Sequence, residues 1–141
     1  MDLAPIVARM AEVTDFAGRV FPARDLATAV DYVTQRTPAG LPSGIVFAMT
    51  EKAEPSDIIG GVRHLVEATF GAMTCIRYAG NAEAAYEQLD TLRAAVMGKF
   101  RGWVPSTGYR ELQFAQGSLA YSEVGLILWS DTFRTEYYLE S

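Results

Sequence analysis

The segment from Asn81 to Pro105 constrains the fold of this chain more than any other. Its sequence, NAEAAYEQLDTLRAAVMGKFRGWVP, repeats apolar residues at steps of three and four, which is typical of an amphipathic helix. Asn81 is predicted to cap its N-terminus. Gly98 or Gly102 is expected to close it in a left-handed conformation, and Pro105 prevents its continuation. The predicted apolar stripe, which needs a sheet to cover, consists of Ala82, Ala85, Tyr86, Leu89, Leu92, Val96 and Phe100.

Shorter helical and β patterns precede and follow this helix. Helices are predicted over residues 2–14 and after Asp25, which is expected to act as an N-cap. Strands are predicted over residues 19–21, 45–50, 61–78, 111–116 and 121–138. This order predicts an α+β fold, with an antiparallel or mixed sheet of four to five strands and helices packed mainly on one face. Residues 1–141 are expected to form a single domain.

Glycine and proline mark the predicted irregular points. Two loops rich in these residues are predicted, from Thr37 to Gly44 and from Glu51 to Gly61. Gly71 is expected to mark a bulge or bend within its long β run. A turn is predicted around residues 117–118, and a bulge or strand break at residues 131–132.

Composition excludes several classes of site. One cysteine cannot form an intramolecular disulfide, and one histidine leaves too few soft ligands for a Cys/His zinc site. The formal charge of −5 argues against general phosphate binding, which usually shows as a basic face. The N-terminus carries Asp2 where a secretory signal would be basic, and no apolar run approaches membrane-spanning length. No membrane partner is therefore expected.

The residue types that often act in catalysis or bind metals in other proteins have no activating partner in this sequence. His64 and Cys75 lie in one predicted strand, where structural roles are favoured over a general base or a thiolate. Glu51, Glu54 and Asp57 match no calcium loop and are interpreted as solvated acids, with a cation as the less favoured alternative. No cofactor, metal or enzymatic activity is expected.

A basic and aromatic segment stands out in this acidic chain. Between residues 91 and 110 there are four basic residues and no acid: Arg93, Lys99, Arg101 and Arg110. One interpretation is that two of them neutralise the C-terminus of the long helix. The alternative is a surface for an acidic partner, since neighbouring Trp103 and Tyr109 are residue types that commonly anchor interfaces. The two interpretations are compatible, and nucleic acid is a weaker third possibility because the rest of the chain would repel it.

Several of these segments resemble the tail terminator proteins of long-tailed bacteriophages. The helix running into Gly102-Trp103-Val104-Pro105 is similar to that family's helix and Trp-x-Pro stop. Leu112 to Gly117 and the run Gly125-Leu126-Ile127-Leu128-Trp129, with Asp131, Phe133, Arg134 and Tyr137 after it, resemble the family's C-terminal strands. The strand beginning Gly44-Ile45-Val46-Phe47 and the strand ending near Ile76-Arg77 match its core strands in placement.

The resemblance implies a structural protein without enzymatic activity, in the virion tail and, during assembly, in the host cytoplasm. It implies a hexameric ring that contacts the tail tube protein on one face and the head-completion or connector protein on the other. DNA is expected to pass through the lumen without specific binding. Besides the basic and aromatic segment, the expected interface residues lie in the two loops: Pro38, Leu41, Glu51, Glu54 and Asp57.

Two alternatives stay open at this point. The chain is also compatible with another head–tail connector or a tail-tube protein, which would differ in polymerising without closing. A small ligand-binding or enzymatic α+β domain would need convergent polar groups in an apolar pocket, and the sequence shows no such constellation.

Overall fold

A five-stranded mixed sheet forms the centre of the fold. The computed structural model describes residues 1–36, 42–53, 63–123 and 125–140, and within them the strand order is β1-β2-β3-β5-β4. The strands are β1 (Val20–Ala23), β2 (Ser43–Ala53), β3 (Arg63–Arg77), β4 (Gln113–Glu123) and β5 (Leu126–Glu140). The α-helices are α1 (Ala4–Met10), α2 (Leu26–Arg36) and α3 (Ala82–Phe100). β1 pairs parallel with β2, and the other neighbours pair antiparallel, so the predicted α+β class is confirmed.

The helices divide unequally between the two faces of the sheet. α1 and α3 cover one face, which we call the α3 face, and α2 covers part of the other, the α2 face. On the α3 face, Phe100 of α3 packs edge-on against Phe70 of β3 and Phe133 of β5, with ring centroids 5.7 Å and 5.1 Å apart. All three rings are fully buried. Burial of large aromatic rings is the strongest apolar term available to a chain of this size, so this cluster fixes α3 on the sheet.

The helix predicted from Asn81 forms, with its stripe narrower than expected. The Asn81 side chain accepts bonds from the N–H groups of Glu83 and Ala84 at 3.1 and 3.3 Å, as an N-cap does. Ala82 and Tyr86 are exposed, which contradicts their predicted place in the stripe. The buried positions are Ala85, Leu89, Leu92, Val96 and Phe100. Gly102, with φ of 75°, is the left-handed residue, whereas Gly98 lies within the helix.

β2 is longer than predicted, and the bulge in its pairing with β3 lies at a different residue from the predicted one. β2 continues to Ala53, so Glu51 lies in a strand and not in a loop. The bulge falls at Met49, between the pairs of Ala48 and Thr50, and not at Gly71. A Cβ atom on Gly71 would lie 2.1 Å from the Phe47 ring. The Phe47 ring lies so close to Gly71 that no larger residue fits there. A glycine within a strand can mark such a close contact as well as a bend.

The turn predicted at residues 117–118 is wrong. Gly117 lies inside β4, and the chain reverses near Gly125, whose φ of 87° suits glycine. The break predicted at residues 131–132 is also wrong, since β5 runs without interruption and the register shifts lie in β4. Asp131 interrupts the apolar pattern of β5 because its carboxylate forms an ion pair with Arg93 of α3.

The first helix is shorter than the predicted span of residues 2–14. α1 ends at Met10, and a 3-10 turn follows at Thr14–Phe16. This turn buries Phe16, and Ala17 then takes a left-handed conformation with φ of 49°. The predicted Asp25 cap of α2 is confirmed by a bond of 2.8 Å from the Thr28 N–H. No helix in the described part of the chain is long and apolar enough to span a membrane.

Leu92→Ala is expected to lower the free energy of unfolding by roughly 2 to 5 kcal/mol, because it leaves a cavity under α3. Leu92 is 1 % exposed. Urea unfolding measures the effect. Gln88→Ala, at an exposed position of the same helix, is the matched control and should stay within about 0.5 kcal/mol of the parent. Equal midpoints for Leu92→Ala and the parent would contradict the assignment of Leu92 to the core.

Candidate interaction site

A partly buried ion pair joins α3 to the C-terminal hairpin. Arg93 Nη2 donates to Asp131 Oδ1 at 2.8 Å, and Arg93 Nε donates to Asp131 Oδ2 at 3.1 Å. The pair is therefore bidentate, which fixes the orientation of the guanidinium as well as its distance. Hydrogen bonding to Asp131 raises the pKa of Arg93 above its usual value, against the opposing effect of partial burial. Asp131 is 1 % exposed, so Arg93 replaces the water that would otherwise surround its carboxylate.

Trp129 and Gly117 complete the surroundings of the ion pair. The Trp129 indole N–H donates to Asp131 Oδ1 at 3.1 Å, and the Arg93 guanidinium lies 4.5 Å from the centroid of the same ring. Gly117 faces Asp131 in the β4–β5 register. A Cβ atom there would lie 2.6 Å from Asp131 Oδ1 and 2.9 Å from Arg93 Nη2. Position 117 therefore requires glycine, because the ion pair occupies the space that a Cβ atom would need.

Most of the predicted basic surface is engaged within the chain. Arg93 is held by Asp131, and Lys99 Nζ lies 3.7 Å from Glu12 Oε1 on the side of α1. Arg110 Nη1 donates to Glu136 Oε2 at 3.0 Å. Arg101 is exposed at the end of α3. Three of the four charges predicted as one patch are therefore paired with acids of the same chain, and Arg101 is the exposed one.

The two aromatic residues of that segment also have partners within the chain. Trp103 is half-buried, its ring lies 6.1 Å from that of Phe100, and the Arg9 guanidinium lies 5.5 Å from its centroid. The Tyr109 ring lies 4.7 Å from the Tyr137 ring, across an isolated bridge between the two residues. Both aromatic residues fasten the connection between α3 and β4 to the core.

Glu51 lies on the α3 face near the N-terminus. Its Oε1 accepts bonds from the Met1 amine at 2.7 Å and from the Tyr137 hydroxyl at 3.1 Å. The bond from the amine is the main cause that lowers the pKa of Glu51, and partial burial opposes it. The other predicted loop residues, Pro38, Leu41, Glu54 and Asp57, lie outside the described residues.

His64 and Cys75 occupy different environments in β3. His64 is half-buried and faces Leu139 in the β3–β5 register. Cys75 is completely buried against the α2 face, and this burial raises the pKa of its thiol to about 12. A thiolate is the reactive form of cysteine, so the Cys75 site disfavours nucleophilic chemistry at neutral pH.

A groove of about 1090 Å³ separates the end of α3 from the start of β4. Ala94, Met97 and Gly98 line it on the helix side, and Leu112 and Phe114 line it on the other. It is open to solvent along the free edge of the sheet, because β4 is the last strand in the described order. This groove and the β4 edge form a candidate surface for a partner.

Comparison with known families decides what kind of protein carries this surface. A family model described as phage tail terminator protein matches residues 1–141. The chain belongs to the phage tail terminator family. The match confirms the resemblance seen in the sequence, and it makes the chain a structural component of a phage-like tail.

The fold of this tail terminator is also found in an assembled particle. A chain of a structure titled "Virion of native gene transfer agent (GTA) particle" is similar, with a TM-score of 0.57 and 18% sequence identity. The similarity covers 94% of this chain and 92% of that chain. No curated protein sequence matches the terminator.

Sequence reasoning did not find the Arg93–Asp131 pair. Arg93 was predicted as an interface cation, and Asp131 as a mark of strand irregularity. One signal was present, because an acid within a long apolar strand needs a buried partner, and Arg93 was the basic residue closest to the middle of the helix. The sequence could not give the register that places Gly117 opposite Asp131.

Gly117→Ala is expected to destabilise the protein by about 1 to 3 kcal/mol, because the added methyl group overlaps the ion pair. Gly98→Ala is the matched control. No atom lies within 4 Å of a Cβ atom at that helical position, so the same change there should stabilise by roughly 0.5 to 1 kcal/mol. Thermal unfolding measures both. A Gly117→Ala protein as stable as the parent would show that the ion pair does not fix the spacing of β4.

Cys75 is expected to react slowly with a thiol reagent at pH 8 in the folded protein and rapidly in urea. Burial both shields the sulfur and raises the pKa of the thiol to about 12. The release of chromophore from an aromatic disulfide reagent measures the two rates. Rapid modification of the folded protein would contradict the buried position of Cys75.

Proposed function

We propose that this tail terminator closes into a hexameric ring on the end of a completed tail tube. The ring stops tube polymerisation and provides the surface to which a head-completion or connector protein binds. The observation that carries this proposal is the family match, which spans residues 1–141. The similarity to a chain of a gene transfer agent virion supports it, because that chain has the same fold within an assembled particle.

Ring closure explains why growth stops. A head-to-tail contact uses two different surfaces of each copy, and it closes when its rotation divides a full circle. Once closed, the ring has no lateral surface left for a further copy. Its outer faces then meet the tail tube protein on one side and the head on the other. Residues 1–141 act as one domain in this ring. The ring forms in the host cytoplasm before the particle is complete.

The charge of the chain suits a lumen through which DNA passes. The formal charge is −5, and like charges disfavour adsorption of a polyanion. Two of the basic side chains that a nucleic acid would seek, Arg93 and Arg110, are paired with acids within the protomer. DNA therefore crosses the proposed ring without specific binding.

We also propose that the terminator is not an enzyme. Within the described ranges, no three or more His, Cys, Asp or Glu side chains converge in an arrangement that could hold a metal ion. The α3–β4 groove is lined mainly by small and apolar residues and ends at Arg101 and Glu111. Such a lining suits contact with protein, and the buried Cys75 thiol, whose pKa is raised to about 12, is a poor nucleophile.

A phage or prophage that lacks this gene product is expected to make overlong tails without heads. Electron microscopy of lysates measures tail length and the fraction of tails joined to heads. A plasmid copy of the full chain should restore both, and a copy with a stop codon at Asn81, which lacks α3 and the β4–β5 hairpin, should restore neither. Normal tail lengths and normal joining in the absence of the protein would overturn the proposed function.

A further inference from the structure

The sheet has two open edges that lie on opposite sides of the molecule. β1 pairs with β2 only over Gly44 to Phe47, so the outer edge of β2 is uncovered by any described strand from Ala48 to Ala53. All six of these residues are exposed. On the other side, β4 is the last strand, and its side chains are mostly exposed. Beyond Phe47 the described part of the sheet therefore contains four strands, β2-β3-β5-β4, and no described strand pairs with either edge.

Up to Ser122, the β4 edge carries none of the charges that usually prevent strand pairing, and the β2 edge carries one pair of opposite sign. Natural edge strands are protected by lysines, prolines or inward-pointing charges. β4 contains no Lys, Arg, Asp or Glu from Gln113 to Ser122. The β2 edge has one acid and one base, Glu51 and Lys52, so its formal charge is zero, and Glu51 also accepts a bond from the Met1 amine. By contrast, the short edge strand β1 contains Pro22, which has no N–H to donate.

Each of the two edges also exposes one large apolar side chain, to a similar degree. Among the described residues, six large apolar side chains are exposed, and one lies on each edge: Met49 at 45 % on β2 and Leu119 at 46 % on β4. The groove beside the start of β4 offers a place for side chains of an added strand, between Met97 of α3 and Phe114. An added strand would cover apolar surface on both sides of its backbone.

We infer that the β4 edge of one copy pairs antiparallel with the β2 edge, Ala48 to Ala53, of the next copy, so that the sheet continues from protomer to protomer. This inference rests on the proposed ring and names its lateral contact. β2 and β5 run in one direction and β4 in the other, so a sheet that continues across the contact places β4 beside an antiparallel β2. The occupant is a second copy of this chain, because the chain itself presents the complementary, charge-balanced edge.

Two bulges provide sites for a selective test. Met49 has no partner in the β2–β3 register, and Ala115 has none in the β4–β5 register. Proline at either position removes an N–H from the edge while leaving the paired residues of the sheet unchanged. The variants are Met49→Pro and Ala115→Pro in the full chain. Met49→Leu and Ala115→Ser are the matched controls, because they keep the N–H.

Native mass spectrometry and electron microscopy on tail tubes give the outcome. The parent and both controls should form rings, and each proline variant alone should not. An equimolar mixture of the two proline variants should form one-to-one dimers and no rings, since one intact edge remains on each partner. A contact between two identical edges would instead give dimers from one variant alone, and this result would overturn the inference.

The test distinguishes a failure of the proposed edge pairing from a failure of the proposed terminator function. Rings formed by the proline variants would overturn the edge pairing and leave the terminator function standing. No ring from the parent, either free or on tubes, would overturn the proposed ring and the edge pairing together. Urea unfolding checks that each variant is folded. If proline lowers stability, Met49→Lys and Ala115→Lys are the second pair, because lysine on an edge strand also opposes pairing.

Discussion

The burial of one side of α3 against β3 and β5 is the constraint on which the rest of this structure depends. Phe100 meets the rings of Phe70 and Phe133, and Leu92 and Val96 extend the contact along the helix. Once this face is fixed, Arg93 on the flank of α3 lies above the C-terminal hairpin and meets Asp131. β4 pairs with β5 beside this ion pair, and a Cβ atom opposite Asp131 would overlap it, which explains Gly117.

The ion pair is better understood as positioning α3 on β5 than as a source of stability. Desolvation of two charges offsets much of their attraction, so replacing a buried pair with apolar residues is often neutral or stabilising. Removing one partner is costly, because it leaves a buried charge such as Asp131 unpaired. The bidentate geometry and the Trp129 bond fix the orientation of Arg93 on β5. Gly117 is the β4 residue that leaves room for this arrangement.

The sequence predicted the parts of the fold that depend on local pattern. The periodicity of α3, its Asn81 cap and the Asp25 cap of α2 are properties of neighbouring residues, and all three are confirmed. The errors fall where long-range contacts decide. Gly71 was interpreted as a bend, but it accommodates Phe47 from the next strand, and Gly117 was interpreted as a turn, but it accommodates the Arg93–Asp131 pair. A glycine that permits a turn and a glycine that permits a close approach have the same appearance in a sequence.

The candidate site was harder to predict than the fold, for a related physical reason. Charges such as Arg93 and Arg110 have short-range partners brought from β5 by the sheet, so their count in the sequence overstated the charge available to a partner. The composition of β4 shows that the strand is free of charge up to Ser122, but it does not show that β4 is an edge, because an edge is defined by the strand that is missing beside it. The β2 edge exists only because β1 stops at Ala23 while β2 continues to Ala53. A surface of this kind follows from topology, and topology is also what a ring of identical copies requires, since its two contact surfaces must lie on different sides of each protomer.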